Sequence, residues 1–399
     1  MYTNKKLLIL GGSEFQIPLI LKAKELGIIT YVVDISLDAP AMKHADYKYQ
    51  SSVKDIEKVF EIAKEIMPDG VTVGMVDIAI PACANVIEKL NLNGISVESS
   101  IKATNKYEMI KCFEAFNVPS PKFQYISNED LNKINKCEMD FPVIIKPIDM
   151  AGSRGIYLAN TNEEFLAALK ESSNIGDSGS LLIEEYMTGP EVSVELVISK
   201  GIPRVIQITD KSTTGAPHFA EIGHLQPSRL DEETKEKIKV VACAAAKSLG
   251  LYNSLGHAEL KITDEGPKMV EIGARAGGDA IGEQLILLST GVDFGKIAID
   301  IALGYDIEIP NTTNKVSCIR FIQSKKGILK SVEGVEAAKI LKNIYDIKFT
   351  GVIGREYDDV VDNSGRLGYV IAYGENYDDV ITACDKAIET IKVEFEGEN

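Results

Sequence analysis

Two glutamates carry the first sign of chemistry. The stretch His257-Ala-Glu259-Leu-Lys-Ile-Thr-Asp-Glu-Gly-Pro-Lys-Met-Val-Glu271-Ile-Gly-Ala-Arg275 alternates apolar and polar residues on either side of Asp264-Glu265-Gly266-Pro267. That pattern predicts a β-hairpin. A turn centred near Glu265 sets Glu259 across from Glu271 on the polar face, with Leu260, Ile262, Val270 and Ile272 directed at the core. Opposed carboxylates with Cβ atoms about 5 Å apart repel, so a cation between them is expected. Hard oxygen ligands with open positions suit Mg²⁺ bridging to a phosphate better than zinc or iron. The competing reading is a solvated pair of surface glutamates.

Upstream, Val143-Ile-Ile-Lys146-Pro147 is an apolar strand that delivers a lysine, and Asp149-Met-Ala-Gly152-Ser153-Arg154-Gly155 follows at once. A glycine-rich turn lets backbone N–H groups close around phosphate oxygens, with Lys146 and Arg154 as cationic cover. Next, Leu181-Leu-Ile-Glu184-Glu185-Tyr186-Met187-Thr-Gly189-Pro190-Glu191-Val-Ser-Val-Glu195 ends one strand and starts another. Such a segment can offer backbone groups to an adenine edge, with Met187 on the ring and Glu191 accepting from ribose hydroxyls. An ordinary polar strand face is the alternative.

These residues need elements to hold them. Strands at 6–10, Ile28–Asp34 and Gly70–Val76 alternate with helices at Pro18–Leu26, Ile56–Ile66 and Pro81–Leu90, which predicts a parallel sheet. Gly11-Gly12-Ser13 after the first strand is not a G-x-G-x-x-G fingerprint, so a nicotinamide site is disfavoured. A crevice at the strands' carboxyl ends, lined by Gly12, Ser13, Glu14 and Asp77, is favoured. A helix over 104–116 leads to the stiff linker Val118-Pro119-Ser120-Pro121. Beyond it, strands are expected at Phe141–Pro147, Gly155–Ala159, Ser180–Tyr186 and Val192–Ile198, with a helix at Glu163–Glu171. A long helix spans 232–249, Gly282–Gly304 is largely helical, and strands follow near Val316–Gln323, Gly351–Glu356 and Leu367–Tyr373. A helix at Tyr377–Val393 closes the pattern.

Composition narrows the class. A chain of 399 residues, 45% of them apolar, suffices for several subdomains. A net charge of −16 disfavours nucleic acid or an anionic membrane as partner. Six scattered cysteines without a C-x-x-C read as reduced thiols. No signal peptide or membrane-spanning run is evident, so a soluble cytoplasmic protein is expected.

In this order and spacing, over roughly residues 100–305, the segments resemble the ATP-grasp superfamily. The resemblance implies an α/β and α+β architecture in three parts. These are a Rossmann-like pre-ATP-grasp domain (1–105), an ATP-grasp domain (106–308) with a mobile lid at about 118–198, and a small C-terminal α+β domain (309–399). It implies that Lys106 and Lys146 contact ATP phosphates and that the loop Gly152, Ser153, Arg154 and Gly155 folds over them. Glu184, Glu185, Tyr186 and Met187 would hold the adenine, Glu191 the ribose, and Glu259 and Glu271 the Mg²⁺, with Mn²⁺ as a substitute. Arg275 would stabilise the transferred phosphoryl group. Where many members read Glu-Ile-Asn-Pro-Arg this chain has Glu271-Ile-Gly273-Ala-Arg275, so the usual asparagine metal ligand is missing.

The flanks bear on the branch. Asp38-Ala-Pro-Ala-Met-Lys-His44-Ala-Asp46 and Gly365-Arg366-Leu367-Gly368 resemble purine-pathway members, namely formate-dependent glycinamide ribonucleotide transformylase and carboxyaminoimidazole ribonucleotide synthetase. There, such an arginine contacts a substrate phosphate, which makes Arg366 a candidate. One arginine stands where the transformylase has a pair. Ile208-Thr-Asp-Lys211-Ser-Thr-Thr-Gly215 and Glu221-Ile-Gly-His224-Leu-Gln-Pro227 instead resemble amino-acid ligases. Lys211 and His224 join Arg275 as candidate catalytic residues, and His218 and His224 are expected in a substrate loop. The resulting expectation is an ATP- and Mg²⁺-dependent carboxylate–amine ligase working through an acyl-phosphate, on small-molecule substrates, with a homodimer suggested by analogy. A purine-pathway ligase and a non-catalytic ATP-binding sensor or scaffold are the alternatives.

Overall fold

The computed structural model describes residues 2–216, 218–310 and 312–396. Its first sheet is parallel, built from β1 (Lys6–Leu10), β2 (Ile29–Asp34), β3 (Tyr47–Gln50) and β4 (Gly70–Thr72) in the order β3-β2-β1-β4. The Leu-Leu-Ile-Leu run of β1 is fully buried, as a central parallel strand with helices on both faces requires. β4 stops at Thr72, short of the expected Val76, because Gly74 turns at φ +58 and the Gln16 amide fills the space beside it.

The helix expected over 104–116 forms as Lys106–Ala115. Asn105 is extended, and its side chain accepts from Tyr107 N at 3.0 Å and Glu108 N at 3.1 Å. That cap separates helix Val97–Thr104 from helix Lys106–Ala115 and sets Lys106 in the first turn of the second.

A second, antiparallel sheet comprises β5 (Phe123–Ile126), β6 (Val143–Pro147), β7 (Tyr157–Ala159) and β8 (Leu181–Glu185), ordered β5-β8-β6-β7. Helix Asn162–Ser173 packs Phe165, Ala168 and Leu169 on one face of it.

The largest sheet has eight strands. They are β9 (Glu191–Ser199), β10 (Ile202–Thr213), β11 (Glu221–Gln226), β12 (Ser254–Thr263), β13 (Gly266–Gly273), β14 (Val316–Gln323), β16 (Ile344–Phe349) and β18 (Arg366–Gly374). The order is β13-β12-β9-β10-β11-β14-β18-β16, so the C-terminal strands continue the sheet that carries the hairpin. A small sheet of β15 (Gly327–Glu333), β17 (Glu356–Tyr357) and β19 (Lys392–Glu396) closes that end.

Several expectations change here. β10 and β11 arise where sequence patterning showed no strand, so His224 lies in a central strand opposite Ile319, and not in a loop. The strand expected at Gly351–Glu356 lies earlier, at β16, and only Glu356 of that span pairs, in β17. Helix Phe294–Ala302 forms within 282–304, preceded by a short helix at Ile286–Thr290 and a π-helical turn at Ile281–Leu285. No described helix is long and apolar enough to cross a membrane.

Candidate active site

The hairpin β12–β13 places Glu259 directly opposite Glu271. Counting outward from the turn, Thr263 pairs Gly266 and Leu260 pairs Met269, so Glu259 would meet Val270 in a regular ladder. A bulge between Glu259 and Leu260 inserts one residue and restores the glutamate pair. The bulge also corrects one expectation: Met269 is in the core, while Val270 lines the cleft beside Glu271.

Each glutamate already carries a lysine. Lys106 Nζ lies 2.5 Å from Glu271 Oε2. Burial works against the Lys106 charge, yet the Glu271 carboxylate offsets it and holds the pKa above the ordinary lysine value. Lys211 is more deeply set, at 4% side-chain exposure, and touches Glu191 at 2.7 Å, Glu221 at 2.8 Å and Glu259 at 2.8 Å. Despite burial, those three carboxylates hold Lys211 well above its usual range. In return, against the effect of burial, Lys211 lowers Glu221 and Glu259 below the usual carboxylate range.

These groups line a cleft between the second sheet and the large one, enclosing about 1000 Å³ out to its open mouth. The structure brings into it Lys106, Lys146, Gly152, Ser153, Arg154, Glu184, Glu185, Tyr186, Met187, Glu191, Lys211, Glu259 and Glu271. Lys146 and Glu184 form a buried ion pair at 2.7 Å on neighbouring strands. Glu185 accepts from Lys268 at 3.0 Å, and the chain then crosses through Tyr186 and Met187 to β9. Ile144, Met187, Phe219 and Val270 supply apolar wall. The cleft is thus lined by both ion-paired and apolar side chains. Hard oxygens of two in-register carboxylates fit a divalent cation of the Mg²⁺ type.

A second, open cleft of about 1290 Å³ counted out to its mouth shares Lys106, Arg154 and Glu271 with the first and adds Asp77 and Arg275. Arg275 Nη2 donates to Asp77 Oδ2 at 2.5 Å. Burial disfavours the guanidinium charge, but Asp77 more than compensates and raises its pKa further. Gly273 makes this contact possible, since a Cβ there would lie 2.9 Å from Asp77 Oδ1.

Other expected residues stand apart. Gly155 flanks the cleft, packed on Pro147. Gly12 N donates to Asp34 at 2.7 Å, Ser13 is exposed, and Glu14 pairs with Lys348. None of the three lines either cavity. His224 is fully buried with both ring nitrogens unpartnered, 3.6 Å from Asp279 and 3.9 Å from Glu221. Arg366 donates to Asp279 at 2.7 Å and Glu221 at 3.1 Å and lies 3.6 Å over the Phe321 ring. Sequence reasoning missed Glu221 and Asp279 as site groups. Glu221 was signalled by its place three residues before His224, whereas Asp279 had no pattern to mark it.

On β12, two residues before Glu259, His257 is buried between Glu195 and Glu259, and although burial favours the neutral ring these carboxylates push its pKa to about 9. Nearby Glu283 is pushed well above the carboxylate range by burial, with Glu195 adding to the effect. Its folded pKa exceeds its unfolded one, so its contribution to stability is full below about pH 4.3 and is lost as pH rises. Glu283→Gln is neutral at every pH. It should melt a few degrees above wild type at pH 8, on a scale of about 2–4 °C per kcal/mol, and close to wild type at pH 4. A pH-independent difference in thermal scans would contradict this.

Comparisons with known proteins agree with the geometry. A family model described as ATP-grasp domain matches residues 139–283, and one described as L-amino acid ligase C-terminal domain 2 matches residues 320–396. The alanine–anticapsin ligase of Bacillus subtilis (strain 168) is 27% identical over 281 residues, covering 64% of this chain. The match spans 58% of that ligase, less than two thirds of its length. The crystal structure of an L-amino acid ligase from Bacillus licheniformis superposes with a TM-score of 0.85 at 20% identity, covering 99% of this chain and 100% of that one. A phosphoribosylglycinamide synthetase from Anaerococcus prevotii gives 0.78 at 25% identity, covering 98% and 100%. The fold is that of the ATP-grasp proteins.

Proposed function

This chain carries an ATP-grasp domain followed by an L-amino acid ligase C-terminal domain, and from that premise we propose that it is an ATP-dependent ligase joining a small carboxylate to an amine. The observation that carries the reading is the in-register pair Glu259 and Glu271, each neutralised by a lysine, at the junction of a nucleotide-sized cleft with the cavity holding Arg275.

Lys106, Lys146 and Arg154 bind and neutralise the ATP phosphates, while Met187 and the strand crossing at Glu185–Met187 receive the adenine and Glu191 the ribose. Glu259 and Glu271 would hold Mg²⁺, or Mn²⁺ in its place, which supplies charge neutralisation on the phosphates when bound. A carboxylate oxygen of the substrate attacks the γ-phosphorus, the bond to the bridging oxygen breaks, and ADP leaves. Arg275 faces the charge that develops on the transferred group. The amine nitrogen then attacks the carbonyl carbon of the acyl-phosphate, inorganic phosphate departs, and the amine releases a proton. The lid of about 118–198, closing through the 149–155 loop, excludes water that would otherwise hydrolyse the intermediate. Domain limits of 1–105, 106–308 and 309–399, a cytoplasmic location and a homodimer complete the proposal.

A purine-pathway ligase is the second reading, favoured by the structural likeness to phosphoribosylglycinamide synthetase. Arg366 weighs against it. The residue expected to hold a ribotide phosphate is engaged by Asp279 and Glu221, which leaves little for a phosphate and favours substrates without one. The test is ADP and phosphate release with Mg²⁺-ATP over a panel crossing amino acids, formate and bicarbonate with amines that include glycinamide ribonucleotide and phosphoribosylamine. Release should depend on a carboxylate–amine pair, and ¹⁸O from a labelled carboxylate should appear in the phosphate. ATP binding without pair-dependent release anywhere in the panel would favour a nucleotide-binding sensor instead.

A further inference from the structure

Glu259 is held from behind. Its Oε1 faces His257 Nε2 at 3.3 Å, while its Oε2 meets Lys211 at 2.8 Å. The other ring nitrogen, Nδ1, is hydrogen-bonded to Oε1 of Glu195, a β9 carboxylate with no exposed surface, directly across the ladder from His257. Glu195 Oε2 accepts the Gly277 N–H at 2.9 Å. A Cβ at position 277 would lie 2.5 Å from Glu195 Oε1 and 2.8 Å from His257 Nδ1, so the glycine is set by close approach of this pair. Strands β9 and β12 and the segment after Arg275 therefore converge on one buried imidazole–carboxylate pair aimed at Glu259.

Burying such a pair is unfavourable compared with apolar residues of the same volume, and none of the steps derived above uses it. A carboxylate on a flexible side chain must be held in one rotamer to present the same oxygen to a cation each time. Lys211 cannot do this alone, because it is shared among three glutamates. We propose that Glu195 and His257 are positioning residues that fix the orientation of the Glu259 carboxylate toward the cleft, and so set the site's affinity for the divalent cation. The inference rests on the reading of Glu259 as a cation-holding group.

The test uses full-length protein and Mn²⁺ as the probe, titrated with ADP present and followed by electron paramagnetic resonance. His257→Gln and Glu195→Gln should each raise the Mn²⁺ Kd by about 10–100-fold, while ADP binding in EDTA stays within about twofold. The double variant should be no worse than the worse single one, since the two residues act as a unit. Glu195→Gln keeps the volume and an acceptor for Gly277, so it serves if His257→Gln does not fold. Folded variants with a lower melting temperature and a Mn²⁺ Kd within about twofold of wild type would overturn the positioning role alone. Wild-type protein that binds no Mn²⁺ would overturn the cation reading of Glu259 and this inference with it.

Discussion

Glu271→Gln should lower kcat by about 10³-fold or more, on the order of 4 kcal/mol of transition-state stabilisation, and leave the fold intact. The substitution preserves shape and removes a single charge at a cleft position where the side chain is 25% exposed. Its lysine partner, Lys106, sits at 13% exposure beside Glu259 and Asp77 as well, so it keeps counter-charge. Circular dichroism and thermal unfolding should therefore resemble wild type while pair-dependent phosphate release disappears. Near-normal turnover in a well-folded variant would sink the assignment of the glutamate pair to the reacting phosphates.

Lys211→Met is expected to strike stability instead. Three carboxylates converge on this one ammonium, and removing it leaves like charges in contact at low exposure. Breaking a buried ion pair costs about 3–5 kcal/mol, and urea unfolding should show a loss of at least that size. The pH dependence has a definite sign. In wild type the folded pKa values of Glu221 and Glu259 are depressed, so their contribution is present above the ordinary carboxylate range and is lost on acidification. The methionine variant never had that contribution. Its deficit should be largest near pH 7 and shrink well below about pH 4. Adding Glu221→Gln to the variant should recover part of the loss. A deficit unchanged between pH 7 and about pH 2 would mean that cavity formation, and not charge, sets the cost.

Much of the site was legible because its residues obey local rules. The alternation around Glu265 gave the glutamate pairing, although the ladder reaches it only through the bulge after Glu259, which no local pattern reports. Asn105 caps its helix and starts it at Lys106, two residues later than apolar periodicity alone placed it. β10 and β11 escaped notice because their cleft side is polar: Thr209, Lys211, Glu221 and His224 look like loop residues until their partners are seen. Those partners lie on other strands, and side-chain pairing across a sheet leaves no trace in spacing. The same holds for Asp279, which meets Arg366 across 87 positions of sequence.

The continuous sheet from β13 to β16 bears on how this chain can be recombined. The segments matched by the two family models meet at the β11–β14 pairing, where Gly223 faces Arg320 and His224 faces Ile319. Any side chain at position 223 would press on the Ile319 carbonyl, 2.5 Å from a Cβ. A chimera that grafts a foreign C-terminal half after Gly304 must therefore match this seam residue for residue, or it inherits an open sheet edge in the middle of the molecule. Crossovers that keep β9 through β18 from one parent avoid the problem.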